Sequence, residues 1–461
     1  MQNTEPLVLY GTVVNVIVAC FILIPYLRGK SDLCTAWNVL LVGVGLFVGV
    51  GCYEVRWGDF DWPQLQWFQP SVAEVTWFMW ATTAFLVTLF LSYYYNPLAT
   101  YITSRTFRKW APENGGTLLF GLFYCIALAS AALVSKQVFF VGLVLFQLSH
   151  KALVFGCVFA FILWYRNKSN LLWLGVFLAV LAWASMYAML VYTGRRLLLA
   201  VFLGPMLYVY WANLRYWRPM RCLSLMALGA VFVFLVGMGY NSFRHFSVVG
   251  EKQARTVGNV VRQMKNMGGG NKFEYVRSHK LHYLSQWAVN YSLVCERYVR
   301  MGQLPPRPLN TFKFCLAYPV PRSIWPNKPV AIGEILVHDM VGYANTNWGV
   351  GIAGHGAFEG GILTLIFYAI MTGMGIRFID DPLRAQPTNP YLIAMLAAAA
   401  PNIMAFPRGD MGTMVLETGE CFVFVVLINT ATRLLYGTNR GTQVRRAIMP
   451  SGSFVAHPRP L

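Results

Sequence analysis

LVLYGTVVNVIVACFILIPYL, from Leu7 to Leu27, runs for 21 residues without a charged side chain, and Arg28-Gly29-Lys30 closes it. At 1.5 Å per residue an α-helix needs about 20 residues to cross a hydrocarbon layer about 30 Å thick. The stretch therefore reads as a membrane span. It is too long for the apolar part of a cleavable signal and has no small-residue cleavage site, so it is expected to stay in the mature chain. Ten more stretches of this kind follow, near 33–53, 72–95, 117–135, 146–165, 170–193, 197–213, 222–242, 357–376, 388–404 and 413–432, and the apolar piece 137–145 reads as re-entrant or interfacial. The expected fold class is all-α and polytopic, with about 11 transmembrane helices.

Composition says the same for the whole chain. Of 461 residues 57% are apolar and 12% charged, with a mean hydropathy of +0.50. A soluble chain carries charge on roughly a quarter of its residues, so lipid takes the place of water here. The net charge of +19 would suggest nucleic acid in a soluble protein, but such binding needs a water-exposed basic face that this chain has little polar surface to build. The nine cysteines form no CxxC or Cys/His cluster, which argues against zinc and against a disulfide framework.

Basic residues near helix ends are retained in the cytoplasm, and alternate short connections separate by charge. Arg28, Lys30, Arg105, Arg108, Lys109, Arg166, Lys168, Arg215, Arg218, Arg221, Arg377, Arg384 and the tail arginines 433, 440, 445, 446 and 458 fall on one side, which reads as cytoplasmic. The opposite side holds only Arg56, Lys136, Lys151, Arg195, Arg196 and Arg408, and the loop with Trp57, Trp62 and Trp67 is acidic and aromatic. The N-terminus is expected outside and the C-terminus inside. The chain then divides into a bundle of about eight spans (1–242), an outward helical cap (243–345), three further spans (346–437) and a basic tail (438–461).

The cap has 103 residues with 14 Lys and Arg against five Asp and Glu. Val257, Val260, Val261, Met264 and Met267 recur at helical spacing and stop at Gly268-Gly269-Gly270. A second amphipathic helix has Leu284, Trp287, Tyr291, Val294, Tyr298 and Met301 on one face and ends before Pro305-Pro306. No internal repeat relates the two halves of the chain.

Three outward elements break the positive-inside pattern. They are Gly194-Arg195-Arg196, the run PVPRSIWPNKP (319–329) with Arg322 and Lys328, and Phe406-Pro407-Arg408-Gly409-Asp410. Prolines stiffen four of the eleven positions of the run. Together the elements place at least four cations at one outer mouth. Arginine offers a planar fork of donors that matches phosphate oxygens bidentately, so a pyrophosphate at the interface is the fitting ligand. Lipid headgroups, or acids of the chain itself, are the plainer partners. Glu359 and His355, spaced i, i+4, are the candidate base and its supporting partner on one helix face, expected to point into the mouth. Glu417 and Glu420 read equally as catalytic or as packing partners of Arg408 or Arg196. His338, Asp339, His279 and His282 read as ordinary surface. No DxD or HxxE pattern suggests a metal site, no Walker or Rossmann glycine signature is present, and the expected cofactor and metal content is none.

The proline run, the Thr193-Gly194-Arg195-Arg196 turn, the Arg408-Gly409-Asp410 turn and the Gly-rich entry to the ninth span together resemble the Wzy-type O-antigen polymerases, which polymerise oligosaccharide repeat units and are related to O-antigen ligases. The resemblance implies a GT-C-like glycosyltransferase of lipopolysaccharide biosynthesis in the bacterial inner membrane. It would act on the periplasmic face on undecaprenyl-diphosphate-linked donor and acceptor, without nucleotide sugar or metal, and with a chain-length regulator as a candidate partner. Arg195, Arg196, Arg322, Lys328 and Arg408 would then bind the diphosphate, with Glu359, His355 and Asp410 as catalytic candidates. Of the first pair only Arg196 matches cleanly, because the family tends to a small residue where this chain has Arg195. An O-antigen ligase is the nearest alternative. A transporter of an anionic lipid or solute is the other, and against it stand the missing repeat symmetry and the large cap, which alternating access does not need.

Overall fold

The computed structural model describes residues 4–57, 68–106, 110–134, 139–190, 194–229, 231–232, 287–320, 322, 324–341 and 348–437. The helix expected at 257–267, Trp62, Trp67, the outer half of the 222–242 stretch and the basic tail lie outside these residues.

Among the described residues every regular element is a helix. The first nine are α1 (Glu5–Leu27), α2 (Ala36–Val44), α3 (Gly51–Trp57), α4 (Val72–Tyr95), α5 (Pro97–Thr106), α6 (Gly115–Val134), α7 (Phe139–Arg166), α8 (Leu171–Leu190) and α9 (Arg195–Ala212). The outer layer holds α10 (Ala288–Arg300), α11 (Asn310–Ala317), α12 (Ile332–Val341) and α13 (Gly351–Glu359), and the last three are α14 (Ile362–Ala385), α15 (Pro390–Ala405) and α16 (Met411–Tyr436). A π-helical turn, Gly45–Val50, joins α2 to α3.

Among the described residues eight helices are long and apolar enough to cross a membrane, against the 11 expected from the sequence. The difference has a physical cause in each case. Two of the 18 residues of α9 are the arginines at its start, α15 is only 16 residues long, and 222–242 is only partly described. The 137–145 piece is not a separate element, because from Phe139 it continues into the 28-residue α7.

The short α15 is the centre of the bundle: residues 390–403 are buried without a break. A helix apolar on every side belongs inside rather than against lipid or water. Small residues let its neighbours approach, as is usual where lipid supplies no hydrophobic drive between helices. A Cβ at Gly43 of α2 would overlap the Met404 carbonyl of α15, and one at Gly204 of α9 would meet Val158 of α7 at 2.6 Å.

Polar contacts tie the elements together at both ends of the bundle. At one end Asp380 of α14 accepts from the Ala36 and Trp37 amides at 2.7 and 3.1 Å and from the Tyr93 hydroxyl at 2.8 Å. At the other end Ser71 and Glu74 form a capping box that starts α4. Glu74 also receives Arg297 Nε at 2.8 Å and Arg300 at 2.5 Å, and Glu54 takes the Trp287 amide at 2.8 Å. These contacts pin α10 onto the bundle. Trp287, Tyr291 and Val294 then bury in a second small apolar core with Ile332, Trp348 and Phe358, whereas Met301 caps the helix and stays exposed.

Candidate functional site

The expected catalytic pair is built differently from its reading in the sequence. His355 and Glu359 do share a face of α13, but both are fully buried and point into protein rather than toward a mouth. His355 Nε2 accepts the Met411 amide at 3.0 Å, so the ring proton sits on Nδ1 and faces Glu359 Oε1 at 2.7 Å. Thr311 donates its hydroxyl to Oε1 at 2.6 Å and its amide to Oε2 at 2.7 Å, and the Tyr368 hydroxyl also donates to Oε2. Four donors occupy the carboxylate. Burial alone pushes its pKa up, but the hydrogen bonds from His355, Thr311 and Tyr368 outweigh burial and hold it below the ordinary value. The group ties α11, α13 and α14 together, because Gly360 and Gly361, both at positive φ, break the chain just after Glu359 and leave α14 free to turn away.

Asp410 is a cap as well. Its Oδ1 accepts the Thr413 amide at 3.2 Å at the start of α16, and the buried side chain lies 3.4 Å from the Gly333 amide. Arg408, in the same turn, is half-buried, and its backbone lies against Gly349. Its charge acts on Tyr291, whose phenol burial pushes up.

A different charged group lies inside the bundle. Lys151 of α7 is buried, forms a close ion pair with Glu417 of α16 and lies 3.4 Å from Glu420 Oε2. It is not in a loop, as the charge count had it, and it joins Arg196, whose charge also acts on Glu417, as a partner of the glutamates. Arg196 lines the same small cavity as His150, Lys151, Asn402 and Glu417. Arg195 and Arg196 occupy the first turn of α9, where the helix dipole disfavours cations by about 0.3–1 kcal/mol. An anion near them offsets that cost. The buried Asn402 Oδ1 on the cavity wall has no hydrogen-bond partner among the described residues.

The proline run reaches this cluster through Tyr318, whose hydroxyl accepts from Gln147 Nε2 at 3.2 Å, one helical turn before Lys151. Burial, then the charges of Glu420 and Glu417, push the Tyr318 phenol up to about 12. Lys328 Nζ donates to the Tyr318 and Val320 carbonyls at 3.2 and 2.9 Å and so closes the run on itself. Burial and then the neighbouring Arg322 charge lower its pKa. Arg322 is exposed. The expected cations therefore share one end of the bundle but separate into two surroundings, Arg196 and the proline run beside α7 and α16, and Arg408 beside Tyr291. Cys295 and Cys315 are free thiols directed at the Gly354 and Gly412 carbonyls.

Among the described residues no group of three or more His, Cys, Asp and Glu side chains is placed to hold a metal ion. Lys151, His150, Gln147, Thr311 and Tyr318 escaped the sequence reading. The available signal was a lysine inside an apolar stretch, since an intramembrane charge faces a partner or a cavity. Comparison with protein-family models, with curated proteins and with solved structures gives no match in any of the three.

Proposed function

We propose that the protein is a membrane glycosyltransferase of the Wzy kind, which polymerises undecaprenyl-diphosphate-linked oligosaccharide repeat units on the outer face of a bacterial inner membrane, with its N-terminus outside and its C-terminus in the cytoplasm. The observation that carries the reading is the cavity that joins Arg196, Lys151 and the unpartnered Asn402 at the end of the bundle where the Arg322 run also lies. A hydroxyl of the incoming unit forms a bond to the anomeric carbon of the growing chain as the bond from that carbon to the lipid diphosphate breaks. Arg196 and Arg322 neutralise the departing diphosphate. Asn402 Oδ1 accepts from a sugar hydroxyl. Glu359, enclosed by four donors, is withdrawn as the proton acceptor, and Glu420, held less closely by Lys151 than Glu417 is, takes the proton.

Deleting the gene and separating extracted surface polysaccharide on a gel tests the activity. Single repeat units on the acceptor are the expected product. No units at all would assign the chain to ligation, and an unchanged ladder would end the glycosyltransferase reading.

A further inference from the structure

In α11 the side chains that face the bundle are Thr311, Phe314, Cys315 and Tyr318: Thr311 binds Glu359, Phe314 abuts Gly412 and Cys315 points at the Gly412 carbonyl. The opposite face carries Leu309, Phe312 and Leu316, which are exposed, Leu316 at 66%. A helix in water does not normally present that face. Phe312 meets Phe367 of α14 edge to face with ring centroids 5.7 Å apart. Phe367 belongs to the outward stripe of α14 that also includes Leu363, Ile370 and Met371, all exposed on a spanning helix. The apolar face of α11 thus continues the lipid-facing surface of α14. Position along the axis agrees, because Phe367 lies five residues inside α14, about 8 Å from its end.

The proline run adds Ile324 at 75% exposure and Trp325 at 45%. From Gln303 to Gly333 the chain has four cations, Arg307, Lys313, Arg322 and Lys328, and no Asp or Glu. Exposed apolar and aromatic side chains interleaved with unopposed cations are the pattern of an element lying in a membrane interface.

We propose that α11 and the proline run lie in the outer leaflet, with Phe312, Leu316, Ile324 and Trp325 in its hydrocarbon edge and Arg307, Lys313 and Arg322 on anionic lipid headgroups. The inference rests on the membrane spans and is independent of the glycosyl-transfer reading. Each cation beside an anionic leaflet favours association roughly fivefold.

Spin labels at Leu316→Cys and Ile324→Cys, in full-length protein reconstituted into vesicles, test it. Cys20→Ser and Cys315→Ser remove the two cysteines that are not buried, and Arg300→Cys serves as a water-facing reference. Expected is greater collision with oxygen than with a water-soluble nickel chelate at 316 and 324, the reverse at 300, and deeper insertion in phosphatidylglycerol-containing than in pure phosphatidylcholine vesicles. Replacing Arg307, Lys313 and Arg322 together by glutamine is expected to abolish the difference between lipids. Water-like accessibility at both positions would overturn insertion. Protection from both reagents would replace it with a covering protein, such as a second copy of the chain, and equal depth in both lipids would overturn the role of the cations.

Discussion

Lys151 and Glu359 are buried charges with opposite solutions to the same cost. Lys151 is balanced by charge. Removing one partner of a buried pair leaves the other uncompensated, at about 3–5 kcal/mol, so Lys151→Met is expected to lower the melting temperature of the purified protein strongly. The double variant Lys151→Met/Glu417→Gln should recover much of the loss, and a double variant no better than the single would disprove the pairing. Glu359 is balanced by donors. Its folded pKa is depressed, so its contribution to stability is present above the unfolded value of about 4.3 and is lost as pH falls through the folded value. Thermal melts taken downward from pH 6 should show a drop that is absent in Glu359→Gln, which should melt lower than the parent at neutral pH. On the proposed chemistry Arg196→Lys and Arg322→Lys keep the charge but lose bidentate donation. A charge-assisted pair contributes roughly 1.5–3 kcal/mol, so turnover of purified lipid-linked units should fall about tenfold to a hundredfold. Parent-like polysaccharide length in both variants, at normal protein level, would refute bidentate binding. The i, i+4 spacing of His355 and Glu359 was legible in the sequence. Its direction was not, because Thr311, which supplies two of the donors, lies 48 residues from Glu359.

Between elements, closeness of packing decides the outcome. A Cβ at Gly43 would push into the Met404 backbone, whereas at Gly175 in α8 nothing lies within 4 Å. Gly43→Ala should therefore destabilise by about 1–3 kcal/mol, the usual cost of overpacking. Gly175→Ala should gain about 1 kcal/mol from helix propensity. Melting the two variants side by side in one detergent checks the prediction, and equal shifts would refute the close crossing of α2 and α15. Hydropathy finds both α2 and α15 as apolar runs but does not rank them. The 16 residues of α15 look like a poor span, and only the helices around it reveal a central strut.

Across the whole molecule, alternating charge predicts that position 300 faces outside and position 168 faces the cytoplasm. Both residues are exposed. An impermeant maleimide added to intact cells should label Arg300→Cys and not Lys168→Cys, and the reverse would invert the orientation. Two things follow from the sequence alone: an all-helical membrane protein, and the apolar runs that become its long helices. Each depends on local length, hydropathy and charge, which the bilayer reads segment by segment. Tertiary structure alone decided that α15 is central, that Glu359 is enclosed, that Lys151 holds two glutamates, and that α11 turns an apolar face outward. Lipid is as apolar as a protein core, so an apolar run does not say which of its faces meets a neighbouring helix, and a polar side chain within it acquires its role only when distant segments pack against it.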